Sequence, residues 1–130
     1  MSVTIDPLEK PNMKYLMMIK HAESYRNQAI PQSLSDAMGQ FVEENIKKGI
    51  LKDTAGLQPT AEGFRVRSGK NKLTVTDGPF TEAREVVGGY AMVEVPSREE
   101  ALKVARDFME LHRVHWPAFE GECEARPLEG

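Results

Sequence analysis

Asp77 and His21 carry the side chains best suited to proton chemistry in this sequence. Asp77 closes an extended run, Leu73-Thr74-Val75-Thr76, and Gly78-Pro79 follows at once. Asp-Gly and Gly-Pro are turn dipeptides with different mechanics. Gly tolerates φ > 0, whereas Pro fixes φ near about −65° and removes an N–H. A carboxylate at so stiff a corner is held in place, which suits binding or catalysis. The alternative is an aspartate that caps its own turn. His21 ends a second extended run, Met13 to Lys20. If the two strand ends meet, the carboxylate orients the imidazole and raises its pKa, making a base near neutral pH. Lys20 and Glu23 stand beside His21 and would tune it. Otherwise His21 is a solvated loop histidine.

Phe80 and Glu82 follow the corner directly. With Lys20, Arg67, Tyr90 and Trp116 they are the candidate substrate contacts. Glu82 and Glu85 form a carboxylate pair that either does acid–base work or is a solvated edge. Arg65 and Arg67 share one face of a strand and could clamp an anion, or deter edge pairing. Tyr90 lines either a pocket or a subunit seam. His112 and His115 are three apart, with Trp116 next door. On a helix that spacing puts two imidazoles on one face, and His21 would complete a three-ligand metal site as a weaker alternative. The simpler reading is a histidine pair at a helix C-terminus with Trp116 as packing anchor. No P-loop, G-x-G-x-x-G, Ser-His-Asp order or C-x-x-C occurs, so no cofactor is expected.

Length and composition bound these readings. A chain of 130 residues, 40% hydrophobic and 28% charged, fits one globular domain. Net charge is −3, and no block of Lys and Arg exceeds two residues, which argues against nucleic acid or an anionic membrane as partner. The single cysteine, Cys123, permits no internal disulfide and suits a reducing cytoplasm. It lies in an alternating segment and reads as a small buried hydrophobe rather than a nucleophile. No apolar run is long enough to span a bilayer. Residues 1–12 lack the pattern of a signal peptide and read as an extension preceding a domain over residues 13–128.

The elements that must position the candidates follow from periodicity. Met13 to Lys20 is nearly continuously apolar, as in a covered strand. Ser33 offers an N-cap, and Met38, Phe41, Val42 and Ile46 form one face of a helix that stops at Gly49. Ile50 to Leu57 reads as a short strand. Phe64–Ser68 and Lys72–Thr76 alternate on either side of a Gly69-Lys70-Asn71 turn and form a hairpin. Val86 to Val95 is a long strand, with Val87, Ala91, Val93 and Val95 on one side and Tyr90, Met92 and Glu94 on the other. Gly88-Gly89 leaves room there for a close backbone or ligand. Ser97 and Glu100 make a capping box. The helix behind it is expected to bury Leu102, Ala105, Phe108 and Met109, with Glu99–Lys103 and Arg106–Glu110 ion pairs on its wet side. Pro117 ends it, and Glu122 to Leu128 is the last strand.

Set apart the hairpin and this order is an α+β, ferredoxin-like split β-α-β unit with an antiparallel sheet. Both helices must cover one face. The other still carries Met, Val, Tyr and Leu, so a second copy is the expected cover, making a homodimer.

Thr76-Asp77-Gly78-Pro79-Phe80, then Glu82 and Glu85, then Gly88-Gly89-Tyr90 resemble the DGPF signature of the YCII-related proteins. Met13-Lys14-Tyr15, Gly56-Leu57-Gln58-Pro59, Glu99-Glu100-Ala101-Leu102 and Glu124-Ala125-Arg126-Pro127-Leu128 extend the resemblance over residues 13–128. It implies a bacterial dimeric α/β barrel with a pocket between sheet and helices in each subunit. It also implies acid–base chemistry by a His–Asp pair that maps onto His21 and Asp77; lyase or isomerase chemistry on a small organic molecule fits such a site. Some members are encoded beside or fused to sigma factors, which implies a regulatory, non-catalytic alternative.

Overall fold

A computed structural model describes residues 12–129, apart from the side chains of Arg26 and Asn27. The expected extension, residues 1–12, lies outside the described residues except for Asn12. Six strands and two helices follow in the order β1 (Met13–His21), α1 (Gln32–Lys47), β2 (Leu51–Gly56), β3 (Phe64–Gly69), β4 (Lys72–Asp77), β5 (Val86–Val95), α2 (Arg98–His115) and β6 (Gly121–Pro127). One 3-10 turn, Glu23–Asn27, follows β1, and another, Thr60–Glu62, precedes β3. The fold is α+β. A four-stranded antiparallel sheet runs β2-β5-β1-β6, and β3-β4 form a separate two-stranded sheet.

Both helices lie on one face of the larger sheet. Tyr15 and Met17 of β1, Val93 and Val95 of β5 and Leu51 of β2 pack there with Ala101, Val104 and Ala105 of α2 and Val42 of α1. Val93 and Val95 are only 1% exposed, and each contributes roughly 1.5–3 kcal/mol by leaving water. Side chains alternate across a strand, so Leu16, Met18 and Lys20 of β1, with their cross-strand partners Met92, Tyr90 and Val87, occupy the opposite face. No helix among the described residues covers that face. No helix among them is long and apolar enough to cross a membrane.

Local signals account for several boundaries. Gly49 adopts φ +74° after the last turn of α1, the left-handed conformation that glycine takes without strain. Ser97 Oγ accepts from the Glu100 N–H at 3.2 Å and caps α2. Lys70 and Asn71, with φ 51° and 63°, form the two-residue turn joining β3 to β4.

Five expectations are corrected. Ser33 does not cap α1; the helix begins at Gln32 behind Pro31, which has no side-chain cap. The inward stripe of α1 is Leu34, Met38, Phe41, Val42 and Asn45, and Ile46, one residue further round, faces water. On α2 the buried stripe is Ala101, Val104, Ala105, Phe108 and His112, which leaves Leu102 exposed. The wet-side pairs of α2 are Lys103–Asp107 and Glu110–Arg113 rather than Glu99–Lys103 and Arg106–Glu110. Finally, β5 carries a bulge. Ile19 pairs with Gly89 but Lys20 pairs with Val87, so Gly88 is an extra residue. The bulge reverses the alternation beyond it, burying Val86 and turning Val87 away from Ala91, Val93 and Val95.

Candidate functional site

Sheet and helices do not close completely. A cavity of about 360 Å³ remains between them, bounded by β1, β2 and β5 beneath, α1 and α2 above, and the segments Glu23–Asn27 and Trp116–Phe119 at one end. Met17, Ile19, Leu34, Met38, Phe41, Val42, Ala91, Val104 and Phe108 make its walls apolar. Among the described residues no Asp, Glu, Lys or Arg lines it. The ionisable groups on its wall are His21, Tyr25, His112 and Cys123, and Tyr90, whose register puts its side chain on the other face of the sheet, borders it.

His21 closes β1 and is buried. Its Nδ1–H donates to the Ala22 carbonyl at 2.8 Å. A carbonyl can only accept, so the neutral ring carries its proton on Nδ1 and Nε2 is a lone-pair base. That nitrogen lies against the bulge in β5: a β-carbon built on Gly88 would sit 2.1 Å from it. The backbone at Gly88 therefore leaves the volume that the imidazole fills.

His112 reaches the same cavity from α2, where the helical repeat carries it on the buried stripe. Its Nδ1–H donates to the Phe108 carbonyl one turn back at 3.0 Å, again leaving Nε2 as an acceptor. Burial holds its pKa below the ordinary histidine value; the Phe108 hydrogen bond opposes this, and the nearby His21 adds to it. Phe119 packs on both rings, with centroids 6.0 Å from His21 and 5.1 Å from His112. Tyr25 holds the loop bearing Phe119: its hydroxyl accepts from the Glu120 N–H at 3.0 Å and lies 3.4 Å from the Ala118 carbonyl. Trp116 meets Tyr25 edge-on at 5.6 Å. Burial raises the Cys123 thiol above its ordinary value, which suits a packed hydrophobe rather than a nucleophile.

The corner around Asp77 is built separately. Asp77 ends β4 opposite Phe64, is exposed, and does not line the cavity. Gly78 is required by close approach rather than by a positive φ, because a β-carbon there would fall 1.7 Å from the Thr60 carbonyl. The Gly78–Pro79 peptide is cis. Thr60 ties the corner to the segment after His21. Its hydroxyl accepts from the Phe80 N–H at 3.1 Å and donates to Glu23 Oε1 at 2.6 Å, and its N–H donates to the same oxygen at 2.9 Å.

The other candidates fall into distinct places. Phe80 carries the Arg65 guanidinium 3.7 Å from its ring centroid, and Arg65 also pairs with Glu82, holding that carboxyl below its usual range. Arg67 is exposed on β3. Lys20 binds Glu124 at 3.1 Å and Glu122 at 3.4 Å on the far face of the sheet, and these partners raise its pKa. Tyr90 borders the cavity, but its hydroxyl donates to Asp53 Oδ2 at 2.9 Å, which raises its pKa. Trp116 lines the cavity and His115 does not. Among the described residues no group of three or more His, Cys, Asp or Glu side chains is placed to hold a metal ion, so His21, His112 and His115 do not assemble as a ligand set.

Tyr25 and Phe119 were not read from sequence as partners of His21, and His112 was grouped with it only as a metal ligand beside His115. For His112 a signal existed. Ala101, Ala105, Phe108 and His112 recur at helical spacing, which puts the imidazole on the apolar stripe. Nothing in the sequence ties Tyr25 or Phe119 to His21.

The model of the YCII-related domain matches residues 13–110. An uncharacterized protein of Rhizobium meliloti (strain 1021) is 31% identical over 102 residues, which cover 78% of this chain and 75% of the relative. The apolar cavity, the two imidazoles and the Gly88 bulge therefore sit within a chain that belongs to the YCII-related family.

Proposed function

We propose that this protein binds a small organic molecule in the cavity between sheet and helices, with His21 as the group that takes or returns a proton. The observation that carries this reading is the state of His21. It is buried, its Nδ1–H is committed to Ala22, its Nε2 is left as a lone-pair acceptor beside Gly88, and the residue lines a 360 Å³ apolar cavity. Ligand cavities are usually of this size and character. Cofactor-free lyase or isomerase chemistry needs such a base.

The strand order β2-β5-β1-β6, with both helices on one face, supports a ferredoxin-like subunit. Leu16, Met18, Met92 and Tyr90 on the opposite face support a homodimer through that sheet, as a dimeric barrel requires. The single free cysteine fits the cytoplasm.

A non-catalytic, regulatory reading is favoured by a different observation. His21 is oriented by a backbone carbonyl, and Asp77, the expected carboxylate, is exposed and outside the cavity. On this reading the protein senses its ligand, and a sigma-factor circuit is the candidate partner.

A thermal-shift screen of small organic molecules tests the main reading, with His21→Phe run in parallel. Compounds that raise the melting temperature of the native protein are expected to lose most of that effect in the variant. If every such compound stabilises both equally, His21 does not belong to the site. Turnover of any of them separates catalysis from sensing.

A further inference from the structure

His21 and His112 are 91 positions apart in sequence, yet both line one cavity with Phe119 packed against each ring. Each has its Nδ1–H bound to a backbone carbonyl, Ala22 in one case and Phe108 in the other. Each neutral ring therefore offers Nε2 as an acceptor only. Neither Nε2 has a hydrogen-bond partner among the described residues. Both rings line the cavity, so a ligand there that brings a hydrogen-bond donor can meet an acceptor that no described donor satisfies.

The remaining wall defines the rest of the ligand. Among the described residues it carries no charged side chain to neutralise a carboxylate, phosphate or ammonium. Its aromatic groups, Tyr25, Phe41, Phe108, Trp116 and Phe119, favour a flat apolar body. An apolar cavity of about 150 Å³ takes one benzene ring. At about 360 Å³ this one has room for a substituted ring or two fused rings.

We propose that His21 and His112 form a two-acceptor site that selects an uncharged, flat, apolar molecule carrying at least one hydrogen-bond donor, such as a phenolic hydroxyl or a ring N–H. This rests on reading the cavity as a ligand site and adds the class of ligand. His112 is a binding residue for it, and His21 serves both as acceptor and as base. A phenolic hydroxyl donates to Nε2 as a neutral group. An ether of the same shape has no hydrogen to give, and a carboxylate brings a charge that no described residue of the wall meets.

Trp116 is the only tryptophan in the chain and lines the cavity, so its fluorescence reports occupancy. The probes are 4-propylphenol, 4-propylanisole, propylbenzene and 4-propylbenzoate, titrated at pH 8 into the full-length native protein, His112→Phe and His112→Gln. Thermal unfolding is recorded first for each variant. In the native protein the phenol is expected to bind about tenfold more tightly than the anisole or the hydrocarbon, as one neutral hydrogen bond in an apolar site allows. The benzoate is expected to bind most weakly. In His112→Phe the preference for phenol over anisole should shrink by at least threefold. His112→Gln, whose amide oxygen can accept, should recover part of it.

Equal affinity for phenol, anisole and hydrocarbon in the native protein would overturn the two-acceptor site and leave the cavity standing as a ligand site. Tightest binding of the benzoate would overturn it as well. An unchanged preference in folded His112→Phe would remove His112. No response of Trp116 to any probe would overturn both this inference and the reading on which it rests. The native-protein ratios decide the matter even if neither variant folds.

Discussion

The imidazole of His21 occupies the volume that a side chain on Gly88 would need. A β-carbon there would lie 2.1 Å from Nε2 and 2.8 Å from Cδ2. The bulge in β5 and the histidine at the end of β1 are thus one device. The extra residue withdraws the backbone, and the ring fills the space while keeping Nδ1 on Ala22.

Gly88→Ala should therefore displace the ring. Overpacking of this kind costs roughly 1–3 kcal/mol. In a His21→Ser background the same substitution should cost much less, because the ring is gone. Chemical unfolding of the two single variants and the double variant gives the coupling directly. Additive costs would show that the two residues do not constrain each other.

Thr60→Val should loosen the corner after Asp77. The hydroxyl links the Phe80 N–H to Glu23, two residues beyond His21. Its loss leaves the Phe80 N–H and one Glu23 hydrogen bond unmet, at a cost of about 1–3 kcal/mol. Hydrogen exchange should quicken at Phe80 and at the Glu23 turn while β5 stays protected. Uniform exchange changes across the chain would contradict the local link.

Burial depresses the His112 pKa in the folded state. Below the ordinary histidine pKa of about 6.5, the unfolded chain then takes up a proton more readily than the folded one. Stability is fully present above that pH and declines as the pH falls through the depressed folded value. His112→Phe should flatten the melting temperature over this window, which differential scanning calorimetry between pH 7.5 and 5 measures. Glu82 and Glu110, lowered by Arg65 and Arg113, contribute their losses only at more acid pH.

Asp77→Asn is expected to change the affinity for 4-propylphenol by less than about twofold, and stability by about 0.5 kcal/mol or less, because the side chain is exposed and off the cavity. Trp116 titration and urea unfolding measure the two effects. A large loss of affinity would bring Asp77 back to the site.

The sheet face that no described helix covers predicts a dimer of twice 14.6 kDa. Met92→Glu places a charge among Leu16, Met18 and Tyr90 and should shift sedimentation equilibrium towards the monomer. A native protein that sediments as a monomer at micromolar concentration would remove the seam.

Much of the architecture is local physics and was legible in residue order. Hydrophobic period marked every strand and both helices. Gly49 marked the end of α1 because only glycine takes φ +74° cheaply, and Ser97 marked the start of α2 because its hydroxyl caps Glu100. The Lys70-Asn71 turn and the DGPF corner were readable for the same reason: each depends on a few neighbouring residues.

Long-range pairing decided the rest. The bulge at Gly88 arises only when β5 is laid against β1, and it alone determines that Val86 is buried and Val87 is not. Which helix residues meet the sheet depends on how each helix is rotated, so Ile46 and Leu102 turned outward. The sequence singled out His21 and paired it first with Asp77; the residue that shares its cavity is His112, from the far end of α2, which the sequence had grouped with it only as a metal ligand. Side-chain chemistry is written in the chain. Which chemical groups become neighbours depends on backbone pairing between segments distant in sequence, and no local signal encodes that.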